Sequence, residues 1–409
     1  MYDLKTTFAI EIAVSKTHAT ASVSCPGRQL AEFGPESSYE VDVPHDNSRL
    51  RFAYIVGPRA DVIWFLGLPF AALALAFAGR AWMSAVAVAS IALWVDVPHQ
   101  IVTLFRTWGV ADDRRRFRVQ LIAGLLVISA IIAGGLAWAP LSLLLLSTLW
   151  NHQHQLMQLH GFARIYDFKA GVRDNSVGKR DQALAWILYG NLFLSSPLFT
   201  SYWLRESYRL GLPLTAFDVN MIHGLAWTIT IAFSGFYVVM TIKRFKNGAV
   251  LNPLKYLYIL INYSVLYFVC WQSSSLLMYG ITNVLMHGIQ YVVFVFYYLQ
   301  RSSSKANGKD RLVHWIVNPG NGVVFVCVLL FYAVLYQLMT GRPLDELGFG
   351  AVHFASQYEA VPEVQLRAMS VLTGKEIWLL TLLNVPGMLH LYYDSFIWKV
   401  REGRTQESL

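Results

Sequence analysis

From Asp61 onward, long apolar runs alternate with short polar intervals. About ten of these runs reach the ~20 residues with which a helix crosses a bilayer. They begin near Val62, Ala81, Val119, Leu141, Ala183, Met221, Leu254, Leu276, Gly320 and Ile377. Several continue beyond that length, and their extensions hold polar residues. The pattern predicts an all-α polytopic transmembrane bundle of about ten helices over residues 59–404, followed by a C-terminal tail, 405–409. Residues 1–58 have another rhythm. TTFAIEIAVSK and SYEVDV alternate as short strands do, and Pro26, Gly27, Pro35 and Pro44 interrupt them. That stretch is too short for a strong core of its own, so a small cytoplasmic segment with some β character is expected there. The longest later interval, 340–375, contains a predicted surface helix at 361–372.

Composition supports a membrane setting. The 409 residues are 55% hydrophobic and 14% charged, with a mean hydropathy of +0.43. Soluble domains carry roughly a quarter charged residues. The net charge of +8 is clustered. Arg114, Arg115 and Arg116 follow the second run; Lys169 and Arg173 the fourth; Lys243, Arg244 and Lys246 the sixth; Arg301 and Lys305 the eighth; Lys399 and Arg401 the tenth. By the positive-inside rule, every even-numbered span ends in the cytoplasm and both termini lie there, as in a bacterial-type inner membrane. Basic clusters at span ends fit a lipid bilayer as partner and exclude a nucleic-acid groove. Cys25, Cys270 and Cys327 make no CxxC, no CxxCH and no disulfide framework. The first ~55 residues lack the long apolar stretch of a cleavable signal peptide.

Chemistry is expected in the polar extensions. The segment 150–169, WNHQHQLMQLHGFARIYDFK, holds three histidines, three glutamines and an asparagine where a membrane helix ordinarily carries leucines. Polar groups taken into lipid need partners, and those partners tend to be functional. Three other segments offer them: DVPHQIVTLFR from Asp96, NVLMHGIQY from Asn283 and HLYYD from His390. All four fall on even-numbered spans, which run in one direction. His99 lies seven residues before Arg106, His160 nine before Lys169, His287 fourteen before Arg301 and His390 nine before Lys399. At 1.5 Å per residue, these histidines share a layer within roughly 10 Å in depth.

Helical spacing groups the donors. Asp96, His99, Thr103 and Arg106 fall on one stripe. Asn151, His154, Gln155 and Gln158 form another; Tyr279, Asn283, His287 and Gln290 a third. His390 and Asp394 are i and i+4 neighbours. Bundle metalloproteins project carboxylates and imidazoles inward from several helices in this way. The expected ligands are Asp96, His99, His154, His287, His390 and Asp394, enough for two metal ions with open positions. Nitrogen and carboxylate donors suit iron, zinc or manganese. His152 and His160 are additional candidates. His160 lies roughly 120° around the helix from His154, so it joins the same centre only if Gly161 marks a bend. Asn151, Gln158, Asn283 and Gln290 are expected to orient the imidazoles from outside. Arg106, Arg164 and Tyr393 are placed at the substrate edge. There the arginines either meet an anionic head group or anchor their helices at the interface. Pro98 and Pro386, close before His99 and His390, predict kinks, which either widen the bundle at a site or are the ordinary kinks of membrane helices.

A polytopic chain with intramembrane histidines near its cytoplasmic face resembles the integral-membrane di-iron enzymes: fatty-acid desaturases and hydroxylases, alkane hydroxylases and related lipid oxygenases. Those families carry HxxxH, HxxHH and HxxxHH boxes. This chain has no HH pair, and its HQH at 152–154 is not such a box, so no family residue is carried over. PHQIVTLFRTW, HQLMQLHGFARIYDFKAG and HLYYDSFIWKVR are also similar to uncharacterised bacterial polytopic membrane proteins, which implies no activity. The resemblance implies a metal-dependent, di-iron oxidoreductase that uses oxygen on a lipid-like or otherwise apolar substrate. The chain has no GxGxxG fold, so no nucleotide cofactor is expected in it, and electrons are expected from a separate donor protein. Three other functions would use the same residues: a haem electron-transfer protein, a zinc hydrolase, and a proton- or ion-coupled transporter.

Overall fold

Wherever the described chain runs apolar for the width of a membrane, it is helical. The computed structural model describes residues 49–209, 211–273, 275–304, 311–339 and 374–398, all within the compact unit Asn47–Leu409. The expected strands before residue 49, the helix at 361–372 and the tail lie outside the described residues. Among the described residues there is no strand, only a parallel bridge between Leu50 and Leu251.

Five helices are long and apolar enough to cross a membrane: Pro58–Trp82, Arg118–Trp138, Ala216–Lys246, Pro253–Gln272 and Leu276–Ser302. Asn175–Ser195 and Pro197–Tyr208, bent by 67° at their junction, make a sixth if counted together. The other apolar runs are also helices: Ala85–Leu104, Pro140–Lys169, Gly322–Met339 and Gly374–Ile397. Length and apolarity among the described residues thus establish five to six membrane-length helices, where the sequence pattern predicts about ten. Pro140–Lys169 illustrates the difference. Its 30 residues reach about 45 Å, well beyond the ~30 Å hydrocarbon layer. Its second half is the polar segment described above.

Helix starts follow local chemistry. Ser84 Oγ accepts the Ala87 amide, Asn252 accepts the Leu254 amide, and Thr215 with Asp218 forms a capping box. Asp174 accepts the Ser176 amide at 2.8 Å, and hydrogen bonding from Ser176 holds its carboxyl below the usual carboxylate range. Asp61 fastens the chain before the first helix. Its fully buried carboxylate accepts the amides of Ile55 (2.7 Å), Val56 (2.9 Å) and Gly57 (3.2 Å).

Arg118–Trp138 shows how the helices are sided. Leu121, Gly124, Ile128, Ile132 and Leu136 recur every three or four residues and are buried, in a cluster with Val385, Met388 and Leu389 of Gly374–Ile397. Its other face exposes Val119, Ile122, Leu126, Val127 and Ile131. In water such surface would cost roughly 25 cal/mol per Å²; lipid tails would cover it without that penalty.

The four helices that carry the polar segments come together. Ala85–Leu104 packs on the Leu276–Ser302 span and on Gly374–Ile397, which also packs on Pro140–Lys169. Gly288 allows a close approach: a Cβ there would stand 3.2 Å from Val95 Cγ1, which would have to give, and in ordinary contact, 3.6 Å, with the His99 side chain.

Candidate metal centre

His99, His154 and His390 each offer a ring nitrogen, and the three nitrogens lie within 4.8 Å of one another. His287 joins them from the π-helical turn Val284–Gly288. Ring centroids are 4.6 Å apart for His99 and His390, 4.7 Å for His154 and His390, and 4.9 Å for His99 and His287. All four rings are buried. The layer predicted from downstream basic residues is therefore present as ring-to-ring contact, with His154 in the place assigned to His160.

Three of the rings are aimed by the bond at their outer nitrogen. Nδ1–H of His287 donates to the Asn283 carbonyl at 2.6 Å, and that of His99 to the Asp96 carbonyl at 2.7 Å. Nδ1 of His390 lies 2.7 Å from Thr103 Oγ1, and with the threonine proton given to Asp394 the ring nitrogen is the donor. This arrangement leaves the lone pair on Nε2, as in metal-ligating histidines. Nε2 of His154, of His287 and of His390 is buried without a hydrogen-bond partner. Each such atom costs roughly 1–3 kcal/mol. Two of them, on His154 and His390, belong to the converging set, which could hold a cation.

Asp394 stands beside them, its Oδ2 4.0 Å from His154 Nε2 and 3.9 Å from His390 Nδ1. Its Oδ1 accepts from Tyr291 OH at 2.6 Å and from Thr103 Oγ1 at 3.2 Å. Trp398 Nε1–H donates in turn to the Tyr291 oxygen at 3.0 Å. Thr103, Tyr291 and Trp398 were not site candidates in the sequence, yet each lies four residues after one: His99, His287 and Asp394. Thr103→Val keeps the shape and removes the hydroxyl that bonds His390, Asp394 and Tyr291. Metal affinity is expected to fall roughly 10–100-fold with the fold intact, measured by competition with a chelator.

Other sequence candidates lie elsewhere. Asp96 Oδ1 is 3.3 Å from His99 Nδ1 and its Oδ2 accepts from Gln100, so it braces a ligand and does not join the set. His152 is turned away: its Nδ1 bonds the Thr148 carbonyl, and its ring stacks on Tyr279. Asn151 is exposed. Gln158 donates to the His287 carbonyl at 2.9 Å, and Asn283 serves His287 through its backbone. Gln290 is spent on Tyr258, Asn262 and the Phe65 carbonyl, away from the rings. Arg106 is no edge residue. It is buried, bonded to Asp113 at 3.2 Å, and its guanidinium lies over Trp398 and Tyr298. Tyr393 is buried too, donating to the Leu121 carbonyl.

A second polar cluster was not foreseen. Lys255 Nζ is fully buried, 2.9 Å from Asp167 Oδ2 and 2.8 Å from Asp181 Oδ2. Arg164 reaches Asp167 at 2.9 Å, and Tyr237 donates to Asp181 at 2.7 Å. His160 lies nearer this cluster, beside Asp181 in the lining of a small cavity, with a buried and unpartnered Nδ1.

A larger cavity of about 630 Å³ touches both regions. His154, Tyr291 and Asp394 line it at the histidine end; Arg164, Arg173 and Asn175 line it also. Much of the remaining wall is apolar, including Met157, Phe162, Ile165, Phe168, Phe294 and Leu391. No protein-family model, curated protein or solved structure matches the chain.

Proposed function

We propose that the chain is a membrane metalloenzyme, an oxidoreductase that holds one metal ion, iron, and acts with oxygen on an apolar, lipid-like substrate. The observation that carries this reading is the set of buried, partnerless Nε2 atoms on mutually packed rings from separate helices. The ligands are His99, His154 and His390, whose ring nitrogens converge, with His287 and Asp394 adjacent. The proposal is for one ion where the sequence led to an expectation of two, because Asp96 is engaged with His99 and Gln100.

Three converging imidazoles with a carboxylate beside them suit iron, and equally a catalytic zinc with its fourth position open. A six-coordinate redox metal keeps more positions free for oxygen and substrate. The packed rings also leave no gap for a porphyrin between two axial imidazoles, which disfavours the haem reading. A bound iron would supply oxygen-binding and redox chemistry that these side chains lack. The chain itself does the rest. Thr103, Asn283 and Asp96 orient the rings, and Tyr291 and Thr103 hold Asp394 where it can accept or return a proton at Oδ2. The apolar wall positions the substrate and excludes water. Electrons come from a separate donor protein. In this reading about ten helices span a bacterial-type inner membrane with both termini cytoplasmic.

The test is elemental analysis and visible spectroscopy on protein purified in detergent. About one iron per chain without a Soret band is expected, since the three converging imidazoles form one site. A Soret band or stoichiometric zinc would replace the proposal. A preparation that takes up no metal on anaerobic reconstitution would end it.

A further inference from the structure

The large cavity has two chemically different ends. Along Pro140–Lys169, His154, Met157, Gly161, Ile165 and Phe168 succeed one another at intervals of three or four residues, and all line it. The cavity therefore follows one helix face for about 21 Å. Its inner end is the histidine centre. Towards its other end stand two guanidinium groups. Arg173 lies 3.7 Å over the ring of Phe168, itself a lining residue. Arg164 is held by Asp167, and Gly178 gives it room: a Cβ there would stand 3.0 Å from Arg164 Nε. Arg164, Lys255, Asp167 and Asp181 balance in charge, so Arg173 adds a positive charge beyond the balanced four.

We infer that this slot takes a single-chain amphiphile with an anionic head group, the head at Arg173 and Arg164 and the chain running inward to the histidines. The inference rests on the proposed metal site and adds polarity, direction and length to its substrate. A neutral hydrocarbon gives no use for the excess charge of Arg173 in the wall, and a cationic amphiphile would be repelled by it. A volume of about 630 Å³ lies within the range of pockets that enclose one small ligand. Arg164 lies ten residues after His154, so a head bound there sets the reacting carbons about 15 Å further in. The head could be a carboxylate or a phosphate monoester; guanidinium groups recognise both.

Gly161 provides the test. It lines the slot, and a Cβ built on it would meet nothing within 4 Å. Gly161→Phe therefore starts its side chain from open space at a lining position of the slot. Full-length protein in non-ionic detergent would be dialysed against radiolabelled palmitate, palmitoyl lysophosphatidate or hexadecanol, with iron measured on the same samples. At least one anion should bind saturably, and hexadecanol roughly tenfold more weakly, as loss of a charge-assisted contact implies. The tighter anion identifies the head group. Gly161→Phe should lower anion binding by about tenfold or more at unchanged iron content. Arg173→Gln should lower anion binding by a similar factor and leave hexadecanol unaffected. Hexadecanol binding as tightly as both anions, or either variant binding them as wild type does, would overturn the inference. Iron without amphiphile binding sinks the slot alone; amphiphile binding in protein that takes no iron sinks the metal reading alone.

Discussion

Protein carrying His390→Ala is expected to lose its metal. His390 is the middle of the row, its ring 4.6 Å from His99 and 4.7 Å from His154. Its Nδ1 is also the group that Thr103 holds. Removing it takes away a ligand and its link to Asp394, so the loss should exceed the roughly 10–100-fold that an outer partner is worth. Iron per chain after gel filtration is the direct measurement. A control sits two residues from a ligand. His152 shares a helix with His154, but its ring stacks on Tyr279, so His152→Ala should retain wild-type iron. Stability offers a second readout. An ion that binds only the folded state stabilises it by about 2.7 kcal/mol at a hundred times its Kd. Added ferrous iron should raise the Tm of the wild type and of His152→Ala, and leave that of His390→Ala unchanged. Equal iron in both variants would show that the four rings pack together for structural reasons alone.

The sequence showed much of this centre because lipid makes polarity conspicuous. An imidazole in a leucine-rich run stands out, and the spacing from each histidine to the next basic residue placed the four segments at one depth. Helical periodicity then chose His154 over His160, since only His154 shares a stripe with Gln155 and Gln158. The same periodicity misled at Gln290. A regular helix would put it beside His287, but the π-helical turn Val284–Gly288 widens the helix there. Tyr291 reaches the centre instead, while Gln290 meets Tyr258 and Asn262. Arg106 misled for another reason. A basic residue at a span end ordinarily points to water, yet this one is sandwiched between Tyr298 and Trp398 from two other helices. The number of spans was less legible than their existence. A helix such as Pro140–Lys169 has the length to cross but spends half of it on polar residues.

The Lys255 cluster was invisible for the same reason that makes it testable: its members come from four helices, and Lys255 and Asp167, which meet in it, lie 88 positions apart in the chain. Lys255 meets two carboxylates while fully buried, and Arg164 is the only other cation that reaches them among the described residues. Lys255→Met removes one charge and leaves two buried aspartates sharing one guanidinium. Breaking a buried ion pair on one side costs about 3–5 kcal/mol. A loss of that size, the largest expected from any single substitution here, should appear as a lowered unfolding midpoint in detergent. Asp181→Asn in the same chain restores the charge balance, because Arg164 and Asp167 then face each other. The asparagine oxygen can still accept from Tyr237, which donates to Asp181 Oδ1 at 2.7 Å. The double variant is therefore expected to be more stable than Lys255→Met alone, although it has lost one more native group. Additive losses would instead mean that water reaches the cluster and solvates each charge separately. In that case the cluster would hold the helices by its hydrogen-bond geometry, and its charge balance would contribute little.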